Sequence, residues 1–160
     1  DLLASGSIMQ QAITAADMLE NLGYAPAIWS VTSYVELVRE AEACERQARL
    51  DPMRERRVPY VEALFADAGG PVVAVSDYLK SLPGGIARWM PDSFTVLGTD
   101  GFGLSESRED LRDHFEVSSA YIVQAALVEQ YRSGRISEQE MRAQLQPLGI
   151  DADKPDPAAR

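Results

Sequence analysis

The chain has 160 residues, enough for one ordinary domain with one buried core. With 46% hydrophobic and 25% charged residues its composition is that of a globular protein, which excludes a wholly disordered chain. A formal net charge of −10, from 25 acidic against 15 basic residues, argues against nucleic acid and anionic membrane surfaces as main partners, because phosphates attract clustered cations.

The arginines between Arg46 and Arg57 do not relieve this, since they alternate with Glu45, Asp51 and Glu55. Cys44 is the single cysteine, so an internal disulfide and a thiolate metal cluster are both out of reach; this usage suits a reducing cytoplasm. No apolar run is long enough to cross a bilayer, and no basic and then apolar leader opens the chain. The chain instead opens on strand-like Asp1-Leu2-Leu3-Ala4 without a methionine, which we read as a piece cut from a longer polypeptide.

Taken in chain order, Leu2 to Ser5 reads as a buried strand ending at Ser5-Gly6-Ser7. Ile8, Ile13, Ala16 and Leu19 then recur at helical spacing, and Gly23 supplies the stop. Ala27 to Val31 is a second strand and Tyr34 to Leu50 a second helix, broken at Pro52. A shorter helix from Val58 to Ala68 ends at Gly69-Gly70, and Pro71 to Val75 is the third strand. Tyr78 to Met90 is expected to be partly helical, interrupted by Pro83-Gly84-Gly85, before the fourth strand at Phe94 to Leu97.

Helices with capping pairs at Ser107/Asp110 and Ser137/Glu140 bracket another at Ala120 to Arg132, which stops at Gly134. Strands separated by helices predict an α/β fold, a three-layer sandwich whose small, mostly parallel central sheet is flanked by helices. The domain is placed at 1–150. The remainder, 151–160, has two prolines and no large apolar residue and is expected to be a loose carboxy-terminal tail that contributes little to stability.

The most unusual segment is Gly98-Thr-Asp-Gly-Phe-Gly-Leu-Ser-Glu-Ser-Arg108, between a strand and a helix, where open α/β sheets place ligands. Its glycine spacing matches neither G-x-G-x-x-G nor a phosphate loop. The reading adopted is architectural. Phe102 is an apolar side chain offered from a turn forced by Asp100-Gly101, with Ser107 as helix cap and Arg108 beside it, so Asp100, Phe102, Ser107 and Arg108 are the interface candidates.

His114, the only histidine, reads as a packing or surface residue, and with one cysteine it leaves zinc no usual ligand set. Asp77, after a strand, reads as the cap of the next helix; Cys44 reads as a core or groove residue, and Trp29 and Trp89 as core. No residue is assigned a catalytic, cofactor-binding or metal-binding role.

Several stretches carry a resemblance. They are Leu3-Ala-Ser-Gly-Ser7, Trp29-Ser-Val-Thr-Ser-Tyr-Val-Glu-Leu37, Cys44-Glu-Arg46, Arg57-Val-Pro-Tyr60, Ser76-Asp-Tyr78 and Val96-Leu-Gly-Thr-Asp-Gly-Phe-Gly103. The series continues through Ser107-Arg108, Leu111-Arg112, His114-Phe-Glu-Val117 and Ile150-Asp-Ala-Asp-Lys154. In order and spacing they resemble the carboxy-terminal, transketolase-like domain of the homodimeric bacterial pyruvate dehydrogenase family.

That resemblance implies an enzyme that decarboxylates pyruvate and reductively acetylates the lipoyl group of dihydrolipoyl acetyltransferase. It implies thiamine diphosphate and magnesium held between the amino-terminal and middle domains across the dimer. Thiamine-diphosphate enzymes use a Gly-Asp-Gly motif followed by an asparagine. Here Thr99-Asp100-Gly101 is the nearest likeness and the sole asparagine, Asn21, lies upstream, so no cofactor is expected in this chain. The implied role is a supporting, dimer-stabilising domain, inactive alone. Leu104 stands where many relatives carry a basic residue, which counts against an anion site in the loop. The alternative is a free-standing α/β ligand-binding module that uses the Gly98–Arg108 loop.

Overall fold

The computed structural model describes residues 1–159. Strands β1 (Leu2–Ala4), β2 (Ile28–Ser30), β3 (Val72–Val75) and β4 (Phe94–Leu97) form one sheet in the order β2-β1-β3-β4. Every pairing is parallel, with Leu2 opposite both Ile28 and Val73, and Val73 opposite Thr95. The sheet is therefore wholly parallel where the sequence suggested mostly so. The central strands explain their composition. Leu2, Leu3 and Ala4 of β1 and all of β3 are buried on both faces, so they read as apolar runs with no polar alternation.

Seven α-helices, α1 (Met9–Asn21), α2 (Tyr34–Leu50), α3 (Tyr60–Phe65), α4 (Ser81–Gly84), α5 (Arg108–His114), α6 (Ser119–Arg132) and α7 (Glu138–Leu145), cover the sheet among the described residues. Successive strand residues send their side chains to opposite faces and so build two cores. Leu2, Ala4, Val73 and Val75 meet Ala12, Ala16 and Leu19 of α1 and Ile122, Val123 and Leu127 of α6. Leu3, Val72 and Ala74 meet Tyr34 and Ala41 of α2, Val61 and Phe65 of α3, and Ile86 and Trp89. This is the expected three-layer sandwich.

Two helices are shorter than their periodicity suggested. The residue before a proline is pushed out of helical geometry, and Val58 is not helical; Pro59 is the N-cap and α3 begins at Tyr60. Between Tyr78 and Met90 only the α4 turn and a 3-10 turn at Ala87–Trp89 form; Pro83 sits in the first turn of α4, where a missing N–H costs nothing, and does not interrupt it.

Residues 151–159 were expected to be loose; most are exposed, and Lys154 ties the segment to the domain. Asp151 Oδ1 accepts from the Asp153 amide at 2.9 Å and Asp156 Oδ1 from the Ala158 amide at 2.8 Å, so each aspartate closes a local turn. Lys154 Nζ donates to the carbonyl oxygen of Asp113 and, at 2.9 Å, to the hydroxyl of Tyr121. Composition hid this because the anchoring group is one lysine and no apolar side chain takes part.

Candidate functional site

Strand order reverses between β1 and β3, so the loops leaving them diverge and open a crevice at their carboxyl ends. Ser7, in the turn after β1, donates its hydroxyl to Asp77 Oδ2 at 2.5 Å across that crevice. The buried Ser76 hydroxyl accepts from the Tyr78 amide at 3.0 Å, and Thr99 Oγ1 donates to the Asp77 carbonyl at 2.7 Å. Asp77 thus does not cap a helix, as sequence suggested; α4 begins four residues later at Ser81, and the carboxylate bridges to Ser7.

The loop after β4 is laced to the loop after β3. The Thr99 amide donates to the Tyr78 carbonyl at 2.9 Å, and the Lys80 amide to Asp100 Oδ1 at 2.9 Å, with Lys80 Nζ 3.9 Å from Asp100 Oδ2. The approach needs glycine at 98, since a Cβ there would lie 2.7 Å from the Tyr78 carbonyl oxygen and 2.9 Å from the Lys80 nitrogen. Gly101 turns with φ +99°, where a side chain is strained.

The interface candidates therefore take separate places. Asp100 braces the two loops from within. Ser107 caps α5, its Oγ accepting from the Asp110 amide at 3.1 Å. Arg108 opens α5 and lines a cleft of about 500 Å³ together with Ser7, Asp77, Thr99, Leu104 and Arg112. Phe102 projects from the loop, 81% exposed. Sequence reasoning missed its companions: Tyr78 at 66%, Leu79 at 54% and Leu104 at 43% exposure put four large apolar side chains on the loops at one end of the sheet. Tyr78-Leu79 was hidden because it fell inside a stretch read as helix.

The other titratable candidates are structural. Glu40 accepts from the Tyr60 amide at 2.9 Å and from Arg57 Nη2 at 2.9 Å, and the backbone bond from Tyr60 leads in holding its carboxyl below the ordinary range. Burial, with a bond from its own thiol to Glu40 at 3.3 Å, pushes Cys44 up, which makes a nucleophilic thiolate harder to form. Trp29, read as core, is only half-buried; it donates from Nε1 to Asp1 Oδ1 at 2.7 Å and meets Phe65 edge-on at 5.6 Å. Trp89 is buried. His114 stacks edge-on against Phe115 at 4.8 Å, a packing role.

Thiamine diphosphate with magnesium does not fit the residues present. The one aspartate in a glycine-flanked turn, Asp100, is taken by Lys80, and Asn21 is the last residue of α1, upstream in another element. Among the described residues no group of three or more His, Cys, Asp or Glu is placed to hold a metal ion.

Comparison with known proteins agrees with this architecture. The profile of the family described as Transketolase-like TK C-terminal domain matches residues 1–118. The chain is 43% identical over 158 residues to the pyruvate dehydrogenase E1 component of Escherichia coli K12, covering 98% of this chain and 18% of that protein. It is 40% identical over 158 residues to the Pseudomonas aeruginosa component, with the same coverage. Among solved structures, transketolase from Campylobacter jejuni superposes with a TM-score of 0.50 at 23% identity, covering 79% of this chain and 16% of that one, a likeness of fold. The chain spans about a fifth of the length of the relatives it matches. A wholly parallel sheet with helices on both faces, a family match over most of the chain and 43% identity over 98% of the chain to one region of these components lead to one conclusion: the chain belongs to the transketolase-like C-terminal domain family, in the branch found in pyruvate dehydrogenase E1 components.

Proposed function

We propose that this chain is the supporting carboxy-terminal domain of a pyruvate dehydrogenase of the E1 type, and that it stabilises the assembly without touching the reacting atoms. The parent enzyme, on this reading, is a cytoplasmic homodimer that decarboxylates pyruvate with thiamine diphosphate and magnesium held by its earlier domains. It then passes the acetyl group to lipoyl groups of dihydrolipoyl acetyltransferase.

The observation that carries the reading is the patch of Tyr78, Leu79, Phe102 and Leu104. Four large side chains left in water at the loops of one sheet end are costly unless another surface covers them. Arg108 and Arg112 line the same cleft as Tyr78, Leu79 and Leu104, which supports a covering surface that bears carboxylates. The covering surface is the adjacent domain or the second subunit.

A second reading, a ligand-binding module, draws on the cleft beside Arg108 and Arg112. It is the weaker one, because Asp77 and Asp100 spend their carboxylates on contacts within the domain.

Sedimentation of the full-length enzyme carrying Phe102→Ala tests the proposal. A dimer dissociation constant raised tenfold or more is expected. An unchanged constant together with an unchanged melting temperature, which reads docking onto the adjacent domain, overturns the docking role.

A further inference from the structure

Two contacts of residues 151–159 with the domain lead to the Gly98–Arg108 loop. The first is Lys154, which is well covered, its side chain 18% exposed. Its ammonium donates to the Asp113 carbonyl in the last turn of α5 and to Tyr121 Oη of α6 at 2.9 Å, and it stands 3.5 Å from Asp113 Oδ2. The Asp113 carbonyl already accepts from the Glu116 amide at 3.0 Å, and a cation at this spot adds a second donor and complements the negative end of the helix dipole. Lysine therefore fixes the segment to the helix that the loop runs into.

The second point is Gly101. A Cβ built there would lie 3.1 Å from the carbonyl oxygen of Pro157 and 3.5 Å from Ala158 Cα, so the backbone of 157–158 lies directly over the turn that presents Phe102. Asp156 holds that backbone in place by accepting from the Ala158 amide at 2.8 Å. The loop has a further brace on its other side, from Asp100 to the Lys80 amide. It is otherwise thinly supported, for every residue from Gly101 to Asp110 is exposed.

We propose that segment 151–159 is a strap, anchored by Lys154 and seated on Gly101, that sets the position of the Phe102 loop. Release of the strap then loosens the loop and, on the docking role proposed above, weakens the contact that loop makes. The strap meets the turn at Gly101 and the Lys80 amide meets it at Asp100, so the loop is held at both places.

Hydrogen exchange by mass spectrometry on the full-length enzyme tests this, with Lys154→Met, which keeps the aliphatic stem and removes the charge. The readout is the exchange rate of amides 99–104 relative to those of β1 and β3. To separate the strap from the docking role, the comparison is repeated in a Phe102→Ala background, where docking is already weakened. The strap predicts at least a tenfold rise at 99–104 in both backgrounds, with β1 and β3 unchanged. A deletion of 152–160 is expected to give the same local pattern.

Exchange at 99–104 that stays within twofold in Lys154→Met overturns the proposal, and so does a rise spread evenly over β1 and β3, which would make Lys154 a general stabiliser. A rise at 99–104 without any change in dimer dissociation leaves the strap standing and tells against the docking role instead.

Discussion

Gly98 and Glu116 show opposite relations between backbone and side chain. Gly98 meets the Tyr78 carbonyl and the Lys80 amide so closely that no Cβ fits, and backbone atoms cannot swing aside as a flexible side chain can. Gly98→Ala should therefore cost about 2 kcal/mol, within the usual range for overpacking, read as a lower urea midpoint at unchanged slope. Glu116 instead carries a side chain at φ +60°, just after α5, where the Val117 amide closes the helix onto the Arg112 carbonyl at 2.9 Å. A left-handed residue with a Cβ costs roughly 1 kcal/mol, so Glu116→Gly should raise the midpoint; a lower one would mean that the side chain makes a contact worth more than the strain.

Legibility at this scale follows from how local a role is. The caps at Ser107 and Ser137 were readable, and Ser137 with Glu140 forms a full capping box, because both partners lie within one turn of sequence. Asp77 was not readable, since its partner Ser7 is 70 residues away.

Elements were legible where two independent signals agreed. The apolar runs of β1 and β3 and the alternation of strands with helices sufficed for a parallel sheet. Where one signal stood alone the bounds were off, as with the helix expected from Val58 to Ala68, which begins after Pro59 and spans Tyr60–Phe65. The pairing of α2 with α3 was also beyond sequence. It rests on Glu40, which reaches the Tyr60 amide and Arg57, and on Arg56, which bridges Glu45 and Glu62.

Hydrogen bonds from Arg56 lead in holding Glu45 and Glu62 below the ordinary glutamate value of 4.5, as the Tyr60 amide does for Glu40. A carboxylate whose folded pKa is depressed binds its proton more readily when unfolded. Its stabilising contribution is thus complete above about 4.5 and lost as pH falls through the lower folded values. Since these groups face solvent, Glu40 contributes on the order of 1 kcal/mol at most. Urea unfolding at pH 7, 5, 4 and 3 should show a steeper loss below pH 4.5 in the wild type than in Glu40→Ala. Parallel curves would remove Glu40 from the account.

At the scale of the whole molecule, the division of labour is the claim. The residues needed to hold thiamine diphosphate and magnesium are not assembled here: Asp100 is committed to Lys80, and Asn21 ends α1 upstream of it. Calorimetric titration of this 160-residue chain with cofactor and magnesium should therefore give no saturable heat. Binding at micromolar concentration would show a site that the donor set does not suggest.

What sequence could not supply was that Tyr78, Leu79 and Leu104 line one cleft beside the turn that carries the exposed Phe102, an arrangement that follows from the pairing of β3 with β4. That patch also sets the most direct test. Turnover per assembled dimer should be measured for the full-length enzyme carrying Phe102→Ala or Arg108→Ala, at concentrations where the dimer persists. A supporting domain predicts activity within about threefold of wild type in both variants, under 1 kcal/mol of transition-state stabilisation. A fall of about a thousandfold in an intact dimer, the size seen on losing a direct transition-state contact, would contradict it.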